Sequence, residues 1–368
     1  MHVFYDHQVF SLQNAGGGSR YFYELVRYLS GISGIRTDVL LGSNETVHDF
    51  RALASRQVRV RSFGNTLHPG ARRYFVNELL GSCLSPFLGK VDVYHPTHHR
   101  IMPAVRARRI VVTHHDCTQE RFPHVFRYLK RVLAAKKLLY ERADSIICVS
   151  ESSRKDLLHY YAVDEAKTTV VHHGLSPLPR SQAAAAELRQ AVRRPYVLYV
   201  GSRAEYKNFT GLLQAFHEAK LSADFDLLAV GGGVLTTAEK AMIAGLGLTQ
   251  SIVCLPRVSD EFLGECYAGA RLFVYPSLWE GFGIPPLEAM AVGCPVVAAN
   301  TGSIPEVCRD APLYFDPYEP NSLVCTLLQA MNDETGRQRT TKRGKEVAAY
   351  YTWKGCGDRT LALYRQCQ

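Results

Sequence analysis

The chain of 368 residues exceeds what one hydrophobic core supports, so its 46% apolar and 21% charged residues imply two globular domains. No apolar run approaches the roughly eighteen residues of a membrane span, and Met1-His-Val-Phe-Tyr-Asp6 lacks the basic start and long apolar core of a signal peptide, so a cytoplasmic protein is expected. The net charge of +9 lies in the first half, where residues 1–180 carry 25 Lys and Arg against 15 Asp and Glu, while the remainder has 18 against 19.

In chain order, short β-rich runs alternate with helical patterns. The first half predicts strands at Val3–Tyr5, Thr37–Leu41, Val58–Arg61, Val91–Tyr94, Ile110–Thr113, Ile146–Val149 and Thr169–His172. Gln13-Asn-Ala-Gly-Gly-Gly-Ser-Arg-Tyr21 follows the first strand and opens a helix running to about Ser30. Glycines at a helix start form an anion-accepting turn, but the spacing is not G-x-G-x-x-G and does not imply NAD. Arg72-Arg-Tyr-Phe75 with Leu79, Leu80, Leu84 and Phe87, and Phe126-Arg-Tyr-Leu-Lys-Arg-Val-Leu133 with Lys136 and Lys137, pair basic with apolar side chains. Such helices either rest on an anionic membrane or are ordinary surface helices with solvated basic faces, and both readings stand. No nucleic-acid motif accompanies the charge, and no nucleic-acid partner is expected.

His95, His98, His99, His114 and His115 cluster without metal-ligand spacing. His95 and His115 end predicted strands, where open α/β sheets place ligand-contacting side chains. A core role, with the ring satisfied by backbone, is the alternative for each and is preferred or left open for His95, His98 and His99. The ten cysteines, from Cys83 to Cys367, show no CxxC pair and fit reduced thiols better than a disulfide framework.

Ser176-Pro-Leu-Pro-Arg-Ser-Gln182 is a proline-containing linker that marks a hinge. Strands resume at Tyr196–Val200, Leu227–Val230, Ile252–Leu255, Leu272–Tyr275 and Val296–Ala299. Strands separated by helices imply parallel sheets with right-handed crossovers, hence an α/β fold of two Rossmann-like domains facing across a cleft. After Tyr196–Val200, a glycine turn carries Arg203 and Lys207, cations able to neutralise a pyrophosphate and stabilise it as a leaving group. Asp224-Phe-Asp226 spells the D-x-D that sugar transferases of another fold use for manganese. Here it precedes a strand and is read as capping a turn, so no catalytic metal and no cofactor are expected.

Residues 276–295, Pro-Ser-Leu-Trp-Glu-Gly-Phe-Gly-Ile-Pro-Pro-Leu-Glu-Ala-Met-Ala-Val-Gly-Cys-Pro, combine a strand exit, a glycine turn and a double-proline helix start. Glu280 falls past the carboxyl end of a buried strand, and Glu288 is expected in the first helical turn, where the helix dipole favours its anion. Both carboxylates can accept hydrogen bonds from adjacent sugar hydroxyls. Gly281 and Gly283, flanking Phe282, leave room for backbone N–H groups to approach a hexose or diphosphate.

This stretch resembles the signature of the retaining nucleotide-sugar glycosyltransferases with the GT-B fold, of the family 4 type with its E-x7-E motif, a group that includes bacterial mannosyl- and glucosyltransferases. Thr301-Gly-Ser-Ile-Pro-Glu-Val307 and Ala311-Pro-Leu-Tyr-Phe-Asp-Pro317 extend the likeness. The resemblance implies contact of Glu280 and the 281–283 turn with the donor hexose, of Glu288 with the ribose, and of Arg203 and Lys207 with the phosphates. It implies that Gly17 and Gly18 approach the donor phosphates and acceptor, leaving Ser19 and Arg20 as helix cap and first turn, and that His115 positions the sugar with support from Asp116. Its domain plan is an acceptor domain over residues 1–178, a nucleotide-sugar domain over 179–350, and a final helix over 351–368 that crosses back to the first.

The expected activity is retaining transfer of a hexose, mannose before others, from a nucleoside diphosphate sugar to a hydroxyl of a glycan or polyprenyl-linked glycan. GDP-mannose is the favoured donor, and peripheral contact with the inner face of a membrane is part of this reading. A nucleotide-sugar epimerase and a non-catalytic sugar-nucleotide-binding protein are the alternatives.

Overall fold

The computed structural model describes residues 1–14, 16–64, 70–319 and 321–366; Ala15 of the glycine-rich segment and Cys367 lie outside the described residues. The chain divides into two compact units, one built from Met1–Gly174 together with Thr352–Gln368 and the other from Leu175–Tyr351.

The first unit holds β1 (His2–Tyr5), β2 (Arg36–Gly42), β3 (Val58–Ser62), β4 (Lys90–His95), β5 (Arg106–His114), β6 (Ser145–Cys148) and β7 (Thr168–Val170) in one sheet ordered β3-β2-β1-β4-β5-β6-β7. Every pairing is parallel. Parallel strands buried on both faces need continuous apolar runs, which Val3-Phe-Tyr5 and Ile146-Ile-Cys148 supply. β5 starts before the expected Ile110, because its charged opening Arg106-Ala-Arg-Arg109 pairs with β4 at the solvent-exposed end of the sheet.

The second unit holds β8 (Tyr196–Val200), β9 (Asp226–Val230), β10 (Ile252–Leu255), β11 (Leu272–Tyr275), β12 (Val296–Ala299) and β13 (Leu313–Phe315), ordered β10-β9-β8-β11-β12-β13 and again parallel. β13 has three residues between prolines, too short to register in the hydrophobic pattern, and was not expected. Strand order reverses between β1 and β4 in one sheet and between β8 and β11 in the other. Doubly wound sheets bind ligands outside the carboxyl ends of strands at such reversals.

The C-terminal helix Trp353–Gln366 belongs to the first unit, burying Trp353, Leu361 and Tyr364 in one core with Tyr5, Tyr21, Phe22 and Leu25. Two glycines permit the approach. A Cβ on Gly174 would lie 2.3 Å from the Trp353 nitrogen, and one on Gly357 would lie 2.3 Å from Cγ of Tyr28. Gly357→Val is therefore expected to destabilise the first unit by about 1–3 kcal/mol through overpacking, read as a lowered melting temperature. No helix among the described residues is long and apolar enough to cross a membrane. The nine described cysteines are all free thiols.

Candidate active site

In the second unit the expected residues gather at the reversal between β8 and β11. Lys207 closes a short turn after β8, and its Nζ donates to Oε1 of Glu280 at 2.6 Å, with both side chains mostly buried. Tyr206 and Tyr275 flank the ammonium at 5.3 and 5.7 Å from their ring centroids. Burial, reinforced by Glu280, pushes the Tyr275 hydroxyl well above its ordinary pKa, so it stays a neutral donor. Glu280 is held by its backbone: its carbonyl accepts from Ser303 Oγ at 2.9 Å and Ser303 N at 3.3 Å. Gly302 makes this possible. With φ +58°, a Cβ there would lie 2.9 Å from the Glu280 oxygen and 3.0 Å from its nitrogen.

The helix Ile284–Val292 is capped by Gly283, with Pro285 and Pro286 in its first turn. Because Ile284 opens it, Glu288 falls in the second turn and not the first, beyond the strongest reach of the dipole. Its carboxylate is met by the Tyr267 hydroxyl at 3.2 Å, from the neighbouring helix Asp260–Gly269. Gly283 has φ +89°, and a Cβ on it would lie 2.5 Å from Ile304 Cδ1, so backbone conformation and packing both demand glycine. The Phe282 ring is buried edge-on against Tyr351 and anchors the turn.

Arg203 is engaged differently from Lys207. Its guanidinium donates to Glu239 at 2.6 Å and to the carbonyls of Gly231, Gly233 and Val234 at 2.7, 3.0 and 2.9 Å. It braces the glycine loop after β9, whose three glycines all have positive φ. The structure thus brings Lys207 to Glu280 and gives Arg203 to the adjoining loop. Of the D-x-D, Asp224 caps the turn Leu221–Ala223, and Asp226 opens β9 and pairs with Arg194 at 3.2 Å. No group of three or more His, Cys, Asp or Glu among the described residues is arranged to hold a metal ion.

In the first unit, Gly16 caps the helix Gly17–Ser30, and Gly17 and Gly18 form its first turn. Ser19 lies inside that turn and donates back to the Gly16 carbonyl at 3.1 Å, so it is not the cap. A Cβ on Gly16 would lie 2.2 Å from Gln13 Oε1. The first N–H groups of such a helix lack intrahelical partners and suit an anion.

His115 follows β5. Its ring stacks on His173 at 5.6 Å and meets Tyr21 edge-on at 5.6 Å. Burial, opposed by Asp116 and aided by Lys136, holds the His115 pKa below its ordinary value. Burial pushes Asp116 up, but the Lys136 ammonium and the Thr118 N–H, 2.8 Å from Oδ1, more than offset it and keep the acid ionised. His95 is a core residue, its ring between the Tyr364 hydroxyl at 2.6 Å and Thr113 Oγ1 at 2.8 Å, and burial lowers its pKa to about 3. The rings of His98 and His99 stand 3.9 Å apart. His173, Tyr267 and the packing of Gly302 against Glu280 were not read from sequence. Each acquires its place through contacts with residues 20 or more positions away, for which no local motif exists.

Residues 181–347 match the family described as glycosyl transferases group 1, and residues 15–177 match glycosyltransferase family 4. The chain is 34% identical over 271 residues to the O-antigen chain mannosyltransferase B of Escherichia coli, covering 71% of each. It is 28% identical over 227 residues to the O-antigen chain mannosyltransferase RfbU of Salmonella typhimurium, covering 61% of each. Sucrose-phosphate synthase from Thermosynechococcus elongatus has a similar structure, with TM-score 0.78 and 20% identity over 99% of this chain and 98% of that one. Anabaena HepE in complex with UDP-glucose gives 0.76 and 17% over 99% of each.

Proposed function

Since this chain belongs to the family 4-type glycosyltransferases of GT-B fold, we propose that it is a retaining hexosyltransferase. It moves mannose from a nucleoside diphosphate sugar, GDP-mannose before UDP-linked hexoses, to a hydroxyl of a glycan or polyprenyl-linked glycan. The observation that carries this reading is the 2.6 Å Lys207–Glu280 pair at the strand reversal, with Glu288 on the following helix. Mannose is supported by the two relatives described as mannosyltransferases.

On donor binding the Lys207 ammonium exchanges the carboxylate for the pyrophosphate, leaving Glu280 to accept from hexose hydroxyls. Glu288 accepts from the ribose hydroxyls, while the backbone of Gly281, Phe282 and Gly283 lines the hexose. Arg203 acts by bracing the loop after β9. In the first unit, His115 and Asp116 serve the hexose, and the Gly17 and Gly18 amides serve anionic oxygens. The anomeric carbon–phosphate oxygen bond breaks as the acceptor oxygen bonds on the same face, and the acceptor's proton leaves on the departing phosphate. Lys207 and helix amides stabilise the charge that develops there.

The protein acts in the cytoplasm with peripheral contact to an anionic membrane. That contact is supported by the helix Leu129–Arg142, where exposed Lys130, Arg131 and Lys137 accompany exposed Leu138, and by exposed Phe75 and Leu79 on the helix Ala71–Leu84.

Incubation with GDP-mannose and UDP-hexoses is expected to release nucleoside diphosphate faster when a glycan acceptor is present. Sugar isomerisation without release would instead make the protein an epimerase. The true nucleotide at 100 times its Kd is expected to stabilise the protein by about 2.7 kcal/mol in a thermal-shift comparison of GDP, UDP and ADP. A shift with no turnover on any donor would leave only a binding protein.

A further inference from the structure

Lys136 is a lysine almost without solvent contact, 1% exposed, on the helix Leu129–Arg142. Its Nζ donates to Gln119 Oε1 at 2.8 Å, to both Glu120 oxygens at 2.9 and 3.0 Å, and to the Asp116 carbonyl at 3.1 Å. The Tyr161 hydroxyl donates to the same Glu120 carboxylate. Four residues along the helix, and therefore on the same face, the Tyr140 hydroxyl meets His114 Nδ1 at 2.7 Å. One helix face thus grips the two neighbours of His115 from behind.

A buried ion pair costs several kcal/mol to desolvate, and apolar side chains of similar volume in place of both Lys136 and Glu120 would hold this site as well or better, whereas loss of Lys136 alone strands the buried carboxylate. Stability alone does not explain the charge.

We infer that Lys136 is a positioning residue for the transfer, fixing the His115–Asp116 turn through the Asp116 carbonyl and Glu120 and placing a fixed positive charge beside the imidazole. This rests on His115 serving the hexose as proposed above.

The charged and titratable groups around His115 come from five segments: Asp116 and His114 on its own, Lys136 from the helix behind, His95 at the end of β4 with His98 and His99 just after it, His173 after β7 and Tyr21 from the helix Gly17–Ser30. Glu120 lies against Lys136 itself, and Asp156 is tied to Arg121 at 2.6 Å. Within this set Lys136 lowers the pKa of His115 and Asp116 raises it. Removing the cation raises the imidazole pKa, so a reaction that uses the neutral ring loses activity at a higher pH than in the wild type.

Lys136→Met is expected to lower kcat on the order of 10–100-fold through misplacement of the turn, with little change in donor KM because Lys207, Glu280 and Glu288 are untouched. The acid limb of its pH–rate profile moves upward. Lys136→Arg retains the charge and keeps that limb in place even where kcat falls. If Lys136→Met does not fold, Lys136→Gln retains a donor without the charge and is expected to show the same displaced limb. NMR titration of His115 reads the shift without turnover, so this inference and the proposed activity fail separately. A wild-type kcat in the Met variant, or an acid limb and His115 titration identical in the Arg, Gln and Met variants, would overturn the assignment.

Discussion

Glu280→Gln is expected to reduce turnover about 10²–10³-fold while nucleoside diphosphate still binds, the range found when one preorganised electrostatic partner is removed from an active site. The carboxylate lies 2.6 Å from Lys207 Nζ in a mostly buried setting. An amide there accepts through one oxygen only and turns an NH₂ toward the ammonium or the hexose. The cation then loses its compensating charge before the donor arrives, and the hexose loses an anionic acceptor afterwards. Lys207→Met is expected to be similarly severe, and the double variant little worse than either single one, because the first change already breaks the unit. Steady-state kinetics with the preferred donor, beside a thermal shift with its nucleoside diphosphate, separate lost catalysis from lost binding. Wild-type turnover in Glu280→Gln would end the proposed role.

Asp6→Ala is expected to destabilise the first unit by about 3–5 kcal/mol, because several buried donors lose their acceptor at about 1–3 kcal/mol each. Asp6 is fully buried just past β1. Its carboxylate accepts from the Tyr94 hydroxyl at 2.5 Å, Gln8 Nε2 at 2.6 Å, Thr97 Oγ1 at 2.7 Å, Thr97 N at 3.0 Å and Gln8 N at 3.3 Å. Alanine leaves these donors without their acceptor in a site with little access to water. For a unit of this size the loss corresponds to a fall in melting temperature on the order of 10 °C. An unchanged calorimetric transition would refute the role of the network.

Much of the second unit could be read in one dimension, and the reason is burial. β8, β10, β11 and β12 coincide with their predicted bounds because each is an apolar run between polar or turn residues. The Glu280 to Gly293 segment was legible because its glycines and prolines have few alternative conformations. What escaped depends on distant partners. The bracing contacts of Arg203 are among these: Glu239 and the carbonyls of Gly231, Gly233 and Val234 accept four hydrogen bonds from its guanidinium across 28 to 36 positions. Glu288 falls past the first turn because Ile284, ahead of the two prolines, already belongs to the helix. His173 meets His115 only because the sheet sets β7 and β5 on either side of β6.

The placement of Trp353–Gln366 in the first unit has a consequence for biogenesis. The segment that completes that unit's core is translated only after Leu175–Tyr351. Domains generally fold as units during synthesis, so the later-encoded body can mature first while the earlier one waits with Tyr5, Phe22 and Leu25 uncovered. A nascent chain truncated at Tyr351 would present that apolar surface to chaperones, so loss of this one helix would expose the first unit's core even with Leu175–Tyr351 intact.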